Sequence, residues 1–207
     1  MKTKIAVIIG IIIAGIACCG AGMSQGYHPQ QRQMPDIVTI TLNDQTITDP
    51  VRISTVQQDM ESNRIQYEAQ ETIEHYKVVI PDDIKGYCEA AGKKYNICPE
   101  FLMAMCWRES RCNADAQNGN CIGVMQVSRV WHGKRMEKVG AKDLSNAKDC
   151  INTAADYLAE IFSETEDPAE ALEIYNGDSE SLKNHTISDY ANDILTISAA
   201  LERADGK

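Results

Sequence analysis

The stretch that decides the fold occupies residues 99–112 and reads PEFLMAMCWRESRC. Pro99 and Glu100 suit the first turn of a helix, because proline presets the backbone angle φ and an acidic side chain favours the positive end of the helix dipole. The residues that follow, up to Trp107, are apolar on every side of a helix, which predicts a central, buried helix. Glu109 comes at the end of this helix, so a carboxyl group is expected at the edge of an apolar core.

A carboxyl group in this position is a candidate general acid. Met105 precedes Glu109 by one helical turn, and Trp107 is also close in sequence. An apolar wall raises the pKa of a carboxyl group by desolvation, which keeps the group protonated near neutral pH. The residues alone leave an alternative open, in which Glu109 is solvated and is neutralised by Arg108 or Arg111.

The sequence around this stretch predicts short helices joined by irregular loops, and strand signals are essentially absent. Helix starts are indicated at Pro81 and Asp167, and Ser188 is the expected cap of the last helix. Apolar residues at helical spacing form a stripe over residues 151–161. We therefore predict one all-α domain over residues 81–207, which is within the usual size of a domain.

The N-terminus has the pattern of an export segment. Residues 1–4 (MKTK) are basic, and residues 5–22 carry no charge and just reach the length that spans a bilayer. Cleavage near residue 22, lipidation of Cys18 or Cys19, and retention as an uncleaved anchor all remain open, and retention at the membrane is favoured. We expect an exported protein of the cell envelope, tethered through residues 5–22, with its globular domain outside the cytoplasm.

Residues 23–80 are predicted to be a polar linker or stalk of unknown role. Residues 23–36 are rich in glutamine and proline, which is typical of a linker. Residues 37–42 (IVTITL) have some β character, and residues 57–75 are highly polar. The polar part indicates a solvated helix or a partly disordered segment.

The charge balance excludes one class of partner. The net charge is −10, and contacts to phosphates of DNA or RNA require clustered lysine and arginine. Nucleic acid is therefore not the expected partner.

The cysteines indicate structural disulfides more than a metal site. Six of the eight cysteines lie beyond the export segment, and an even number in an oxidising compartment is typical of disulfides. A zinc site is the less favoured alternative, because the chain has no paired CxxC motif and its four histidines are scattered.

Three segments in combination resemble the soluble lytic transglycosylase (SLT) family of the lysozyme-like superfamily. Residues 101–116 (FLMAMCWRESRCNADA) resemble the segment around the family's catalytic glutamate, where an apolar helix runs into Glu-Ser and Asn-x-x-Ala follows. Residues 122–127 (IGVMQV) are similar to Gly-Leu-Met-Gln-Val/Ile, and residues 171–177 (ALEIYNG) are similar to Ala-x-x-x-Tyr-Asn-x-Gly. The chain departs from the family pattern in Val124, which replaces the commoner leucine, and in Asp178 after Tyr-Asn-Gly.

This resemblance implies a lysozyme-like fold with a glycan groove between two lobes and with Glu109 as the catalytic acid. Ser110 would support Glu109 or contact the substrate, and Tyr175 and Asn176 would lie near the sugar at which cleavage occurs. The positions carried over as the groove wall are Gly123, Met125 and Gln126. The residues alone leave open that Gly123 permits a turn and that Met125 and Tyr175 pack in the core.

The resemblance also implies a peptidoglycan lytic transglycosylase that uses no metal and no organic cofactor. Ordinary glycosidases need two carboxylates, whereas Asp115, the nearest second candidate, is expected in a loop. The predicted reaction cleaves the β-1,4 bond between N-acetylmuramic acid (MurNAc) and N-acetylglucosamine (GlcNAc) and forms 1,6-anhydro-MurNAc. The alternatives are a hydrolytic muramidase on the same fold and a non-catalytic wall-binding component of a secretion or conjugation apparatus. The small, tethered architecture would suit local wall opening for such a trans-envelope assembly.

One disulfide is predicted specifically, between Cys112 and Cys121. These residues bracket the eight-residue loop between the Glu109 helix and the segment that begins at Gly123, so a bridge would fix the two together. The remaining cysteines are left unassigned: Cys88, Cys98, Cys106 and Cys150.

Overall fold

The structure is a computed structural model that describes residues 40–42, 45–47 and 50–207. The predicted export segment and the linker of residues 23–36 lie outside the described residues. Eight helices and five short strands make up the described part: β1 Ile40–Leu42, β2 Gln45–Ile47, α1 Pro50–Tyr76, α2 Asp82–Tyr95, α3 Pro99–Ser110, β3 Gln117–Asn118, β4 Cys121–Ile122, β5 Val127–Ser128, α4 Arg129–Val139, α5 Ala147–Ile161, α6 Pro168–Asn176, α7 Ser179–Asn184 and α8 Asp189–Ala204.

Helix α3 is the centre of the fold, as its sequence predicts. All of its residues from Glu100 to Trp107 are buried, and it packs against α2 and α8. The helix ends because Arg111 takes the left-handed conformation with φ of 57°, where its N–H group bonds the carbonyl oxygens of Cys106 and Trp107. Glu109, in the last turn of α3, therefore lies at the edge of the core and is half-buried.

The predicted helix starts at Asp167 and Ser188 are confirmed by side-chain caps. The Asp167 carboxylate accepts a hydrogen bond from the N–H group of Ala169 at 2.9 Å, and the Ser188 hydroxyl accepts one from Ala191 at 3.2 Å. Each cap satisfies an N–H group that the first turn of a helix leaves without a helical partner. The Ser188 cap fixes where α8 begins.

A small antiparallel sheet, in the order β3–β4–β5, interrupts the helices. The sequence did not predict it, because two-residue strands are too short to show the alternation by which strands are found. Gly123 follows β4 with φ of +79°, and a Cβ atom there would collide with the Leu144 carbonyl oxygen and the Cys150 sulfur. Glycine therefore permits both the turn and the close packing of this segment.

Helix α1 joins the packed unit upstream of residue 81. Of the two alternatives predicted for residues 57–75, the structure has the helix, and that helix packs along α8. Ala69 is buried there, and the Tyr76 hydroxyl donates to Asp193 at 3.0 Å. The N-terminal strands β1 and β2 form an antiparallel pair in which Ile40 lies opposite Ile47, in agreement with the β character of that stretch.

The predicted bridge between Cys112 and Cys121 is absent from the structure, which has both residues as free thiols. Cys121 is held in β4, opposite Asn118 and Ser128. Cys112 instead turns back on the end of α3, where its N–H group bonds the Cys106 carbonyl oxygen at 3.1 Å. The spacing in the sequence showed that the two cysteines flank one loop, but it did not show that each cysteine is held by a different part of the fold.

Within residues 50–207, no helix has the length and the apolar character that a membrane span requires.

Replacing Gly123 by alanine should destabilise the protein by about 2–4 kcal/mol, because the substitution adds both a strained φ and a backbone collision. Chemical denaturation followed by circular dichroism would measure the loss. Gly119→Ala is the matched control, since Gly119 also has a positive φ (+60°) but has open space around it. Equal losses for the two variants would contradict the close-packing account.

Candidate active site

Glu109 is half-buried in the last turn of α3. The Tyr190 hydroxyl, on the first turn of α8, donates to the Oε1 atom of Glu109 at 2.5 Å. Burial raises the pKa of the Glu109 carboxyl above its ordinary value, against the smaller opposing effects of the Tyr190 hydrogen bond and the Arg108 charge. The predicted direction of the pKa shift, upward by desolvation, thus agrees with the structure.

Tyr190 is the main residue in contact with Glu109 that the sequence did not identify. It is buried, and burial together with the nearby Glu109 carboxylate raises the pKa of its hydroxyl well above the ordinary value. The hydroxyl therefore stays protonated and acts as a donor. The Ser188 cap, two residues before Tyr190, was visible in the sequence. Nothing in the sequence, however, connects Tyr190 with Glu109, which is 81 positions away.

A buried carboxylate fixes the start of α8 and so fixes Tyr190. Glu173, on α6, is only 2% exposed. Its two oxygens accept hydrogen bonds from the N–H group and the hydroxyl of Ser188, at 2.7 and 2.9 Å. Because both oxygens are occupied, Glu173 serves as a support for the α8 terminus and is not a free second acid in the site.

Ser110 connects α3 with the segment after β4. Its hydroxyl lies 3.0 Å from the Val124 carbonyl oxygen and 3.3 Å from that of Cys106, and it accepts a hydrogen bond from the Asn113 N–H group at 3.1 Å. These contacts hold the end of α3, which carries Glu109, in place; the predicted contact of Ser110 with the substrate stays a prediction.

Two of the residues predicted to line a groove, Met125 and Gln126, use their side chains for contacts within the fold. Met125 has no exposed surface, and its sulfur lies 3.2 Å from that of Cys106, so the prediction that its side chain lines a groove is wrong. Met125 packs in the core because it follows the buried Gly123–Val124 turn. Gln126 is half-buried with φ of 47°, and its side-chain amide donates to the carbonyl oxygens of Gly123 and Ala116, at 2.9 and 3.1 Å.

Tyr175 lies near Glu109, as the motif implied. Its hydroxyl donates to the Met125 carbonyl oxygen at 2.9 Å, and burial, with the Glu109 charge close by, raises its pKa well above the ordinary value. Its ring centroid is 5.6 Å from that of Tyr157, which lies 4.6 Å from that of His132. Tyr175 thus has a packing role as well as a place at the site, whereas Asn176 is exposed at the end of α6.

Among the described residues, the groups that influence the pKa of Glu109 are Tyr190 and Arg108. Neither of them is a carboxylate. Asp115 is exposed in the loop after α3, where its N–H group bonds the Asn113 side chain. The described residues also contain no group of three histidine, cysteine or acidic side chains arranged to hold a metal ion. The arrangement can donate one proton from Glu109 and afterwards stabilise the carboxylate.

The described domain is mostly helical and carries one half-buried carboxyl group, that of Glu109, at the end of its central helix. The chain belongs to the transglycosylase SLT domain family, whose model matches residues 86–197, more than half of the chain. This membership confirms the resemblance seen in the motifs.

Two curated relatives from Escherichia coli are similar to part of the chain. An Escherichia coli protein named X polypeptide is 36% identical in an alignment of 107 residues that covers 45% of this chain and 63% of the relative. A second X polypeptide, from Escherichia coli strain K12, is 30% identical in an alignment of 128 residues that covers 57% of this chain and 75% of the relative. The chain thus spans a little less than two thirds of the first relative.

Tyr190→Phe should raise the pKa of Glu109, because the hydrogen bond from Tyr190 favours the ionised carboxylate. A hydrogen bond to a charged group contributes about 1.5–3 kcal/mol, so its loss should raise the pKa of Glu109 measurably. The acid then stays protonated to higher pH, so the basic limb of the pH–activity profile should move upward while the maximal rate falls. Tyr87→Phe, on α2, is the control and should leave the profile in place; an unmoved profile in Tyr190→Phe would show that the hydrogen bond has no such role.

Proposed function

We propose that the protein is a peptidoglycan lytic transglycosylase that cleaves the β-1,4 bond between MurNAc and GlcNAc and releases 1,6-anhydro-MurNAc ends. The observation that carries this proposal is the single half-buried carboxyl of Glu109, hydrogen-bonded by Tyr190 at 2.5 Å. An enzyme that lacks a second carboxylate depends on groups of the substrate itself, as substrate-assisted glycosidases do. Membership of the transglycosylase SLT domain family supports the same reaction class.

In the proposed first step, Glu109 protonates the glycosidic oxygen as the bond from MurNAc C1 to that oxygen breaks. The leaving GlcNAc takes the proton as its hydroxyl hydrogen. The acetamido oxygen of MurNAc stabilises the positive charge that develops at C1. Glu109 is left as a carboxylate, which the Tyr190 hydrogen bond and the Arg108 charge both favour.

In the second step, the Glu109 carboxylate removes the proton from the MurNAc 6-hydroxyl while the oxygen of that hydroxyl bonds to C1. The anhydro ring closes, and Glu109 is protonated again for the next cycle. A hydroxyl held on the same sugar has a large advantage over water, since effective molarities of about 10⁵ M or more are possible for well-placed groups.

The proposed substrate contacts are residues of the family-like segments whose side chains reach the surface. We assign the sugar contacts to Gln126, which is half-buried, and to Asn176, which is exposed. Tyr175 bounds the site through its ring, with its hydroxyl fixed on the Met125 carbonyl oxygen. Ser110 and Gly123 act by holding these groups in place.

Glu109→Gln should abolish cleavage of purified peptidoglycan, with a loss of about 10² to 10⁴ in rate, which is typical of a missing general acid. The helical circular dichroism and the melting temperature should stay close to those of the wild type. Glu89→Gln, an exposed change on α2, is the matched control and should keep full activity. Mass spectrometry of wild-type digests should find muropeptides that are lighter than hydrolytic products by one water and that resist borohydride reduction.

The possible results separate the proposal from its alternatives. Digests that contain only borohydride-reducible muramic ends would make the enzyme a muramidase with Glu109 still as its acid. Activity of Glu109→Gln within a few-fold of the wild type would remove Glu109 from the mechanism. A wild-type protein that binds peptidoglycan without cleaving it would be a non-catalytic wall-binding component.

We also propose that the protein is exported and acts from the membrane, on the basis of the basic and uncharged N-terminal segments. Such a tether would suit local wall opening for a trans-envelope secretion or conjugation assembly. The full chain should fractionate with membranes, and deletion of residues 1–22 should release an active soluble form. Recovery of a mature soluble protein that begins near residue 23 would show instead that the segment is a cleaved signal.

A further inference from the structure

One carboxylate on α8 is shared between the helix that carries Glu109 and the helix upstream of it. Asp193 lies one turn after Tyr190. Its Oδ2 atom accepts a hydrogen bond from Arg108 Nε at 3.0 Å, and its Oδ1 atom accepts one from the Tyr76 hydroxyl, also at 3.0 Å. The two oxygens of Asp193 thus join the end of α1 to the last turn of α3.

The position of Arg108 matters because the residue is the immediate neighbour of Glu109. Its guanidinium carbon lies 5.6 Å from the centroid of the Tyr190 ring. Tyr190 is the residue whose hydroxyl donates to Glu109. Arginine pairs readily with carboxylates, and Arg108 has Asp193 as a direct partner while its charge also acts on Glu109. The structure pairs it with Asp193.

We propose that Asp193 and Tyr76 hold the Arg108 guanidinium against Tyr190 and away from Glu109, so that helix α1 helps to keep the general acid protonated. This proposal rests on the proposed role of Glu109. Asp193 and Tyr76 act through Arg108 and are positioning residues. Tyr76 is outside the matched family segment, residues 86–197, so this function adds a part of the chain to the active site.

The electrostatic reason is that a cation close to a carboxylate favours the ionised form. Arg108 already lowers the pKa of Glu109 to some extent, and an Arg108 released from Asp193 would be free to pair with Glu109 directly and lower it further. Other groups that face Glu109 or the Asp193 cluster are Tyr190 of α8, Tyr175 and Glu173 of α6, Cys150 of α5 and Asp189 of α8. None of these groups is a cation, so Arg108 is the one positively charged side chain among the described groups that act on Glu109.

The contact contributes little to folding, which makes its effect on Glu109 separable. The side chains of Arg108 and Asp193 are 35% and 27% exposed, and partly exposed ion pairs are typically worth about 1 kcal/mol or less. The α1–α8 packing has its own apolar contacts, including the buried Ala69. Variants of Asp193 and Tyr76 are therefore expected to fold.

The test is a carbon-13 NMR titration of the Glu109 carboxyl in the full chain, with the Glu109 signal assigned by its loss in Glu109→Gln. Asp193→Asn should lower the Glu109 midpoint by about half a unit to one unit, in the range expected for a cation brought nearer. Tyr76→Phe should lower it in the same direction by less. The control is Tyr67→Phe, a substitution of an exposed tyrosine on the same helix, and it should leave the midpoint unchanged.

A double-mutant cycle decides whether Arg108 carries the effect. In an Arg108→Gln background, Asp193→Asn should no longer lower the Glu109 midpoint. An unchanged or raised midpoint in Asp193→Asn, no shift in Tyr76→Phe, or a shift that persists without Arg108 would overturn the proposal. The titration does not depend on turnover. If the variants show these shifts but the wild-type protein cleaves no peptidoglycan, the proposed function is refuted and the positioning role stands.

Discussion

The hydrogen bond from Tyr190 to Glu109 is the interaction on which the rest of the site depends. It joins the end of α3, the central buried helix, to the first turn of α8, and it is made at the edge of the core where water is partly excluded. Desolvation raises the pKa of the carboxyl, and the hydroxyl limits that rise by favouring the ionised form. These opposing effects suit the proposed reaction, in which Glu109 gives up a proton in one step and takes one back in the next.

Much of the surrounding structure maintains this single contact. Glu173 ties the start of α8 to α6 through Ser188, and Ser110 ties the end of α3 to the turn that begins at Gly123. Both supports use buried or half-buried polar groups that find partners, which is why they can be held inside the fold without a large cost. The upstream helix α1 adds a third support through Asp193.

The sequence predicted the parts of this arrangement that are local. The apolar run ending in Glu109 defines α3, and the caps at Asp167 and Ser188 mark helix starts, because each depends on residues a few positions apart. Tyr190 could not be found in this way, since its partner is 81 positions away. The pairing of Arg108 with Asp193 was missed for the same reason. Met125 was assigned to the groove because motif order gives position along the chain but not the direction of a side chain.

The central claim is that burial keeps the Glu109 carboxyl group protonated at pH values at which an ordinary glutamate is ionised. Its most direct test is the pKa of Glu109 in the unmodified protein, measured from the carboxyl carbon-13 shift as a function of pH. The account predicts a midpoint clearly above the ordinary value of a glutamate side chain. A midpoint at or below that value would contradict it, because Glu109 would then be ionised when the glycosidic oxygen needs its proton.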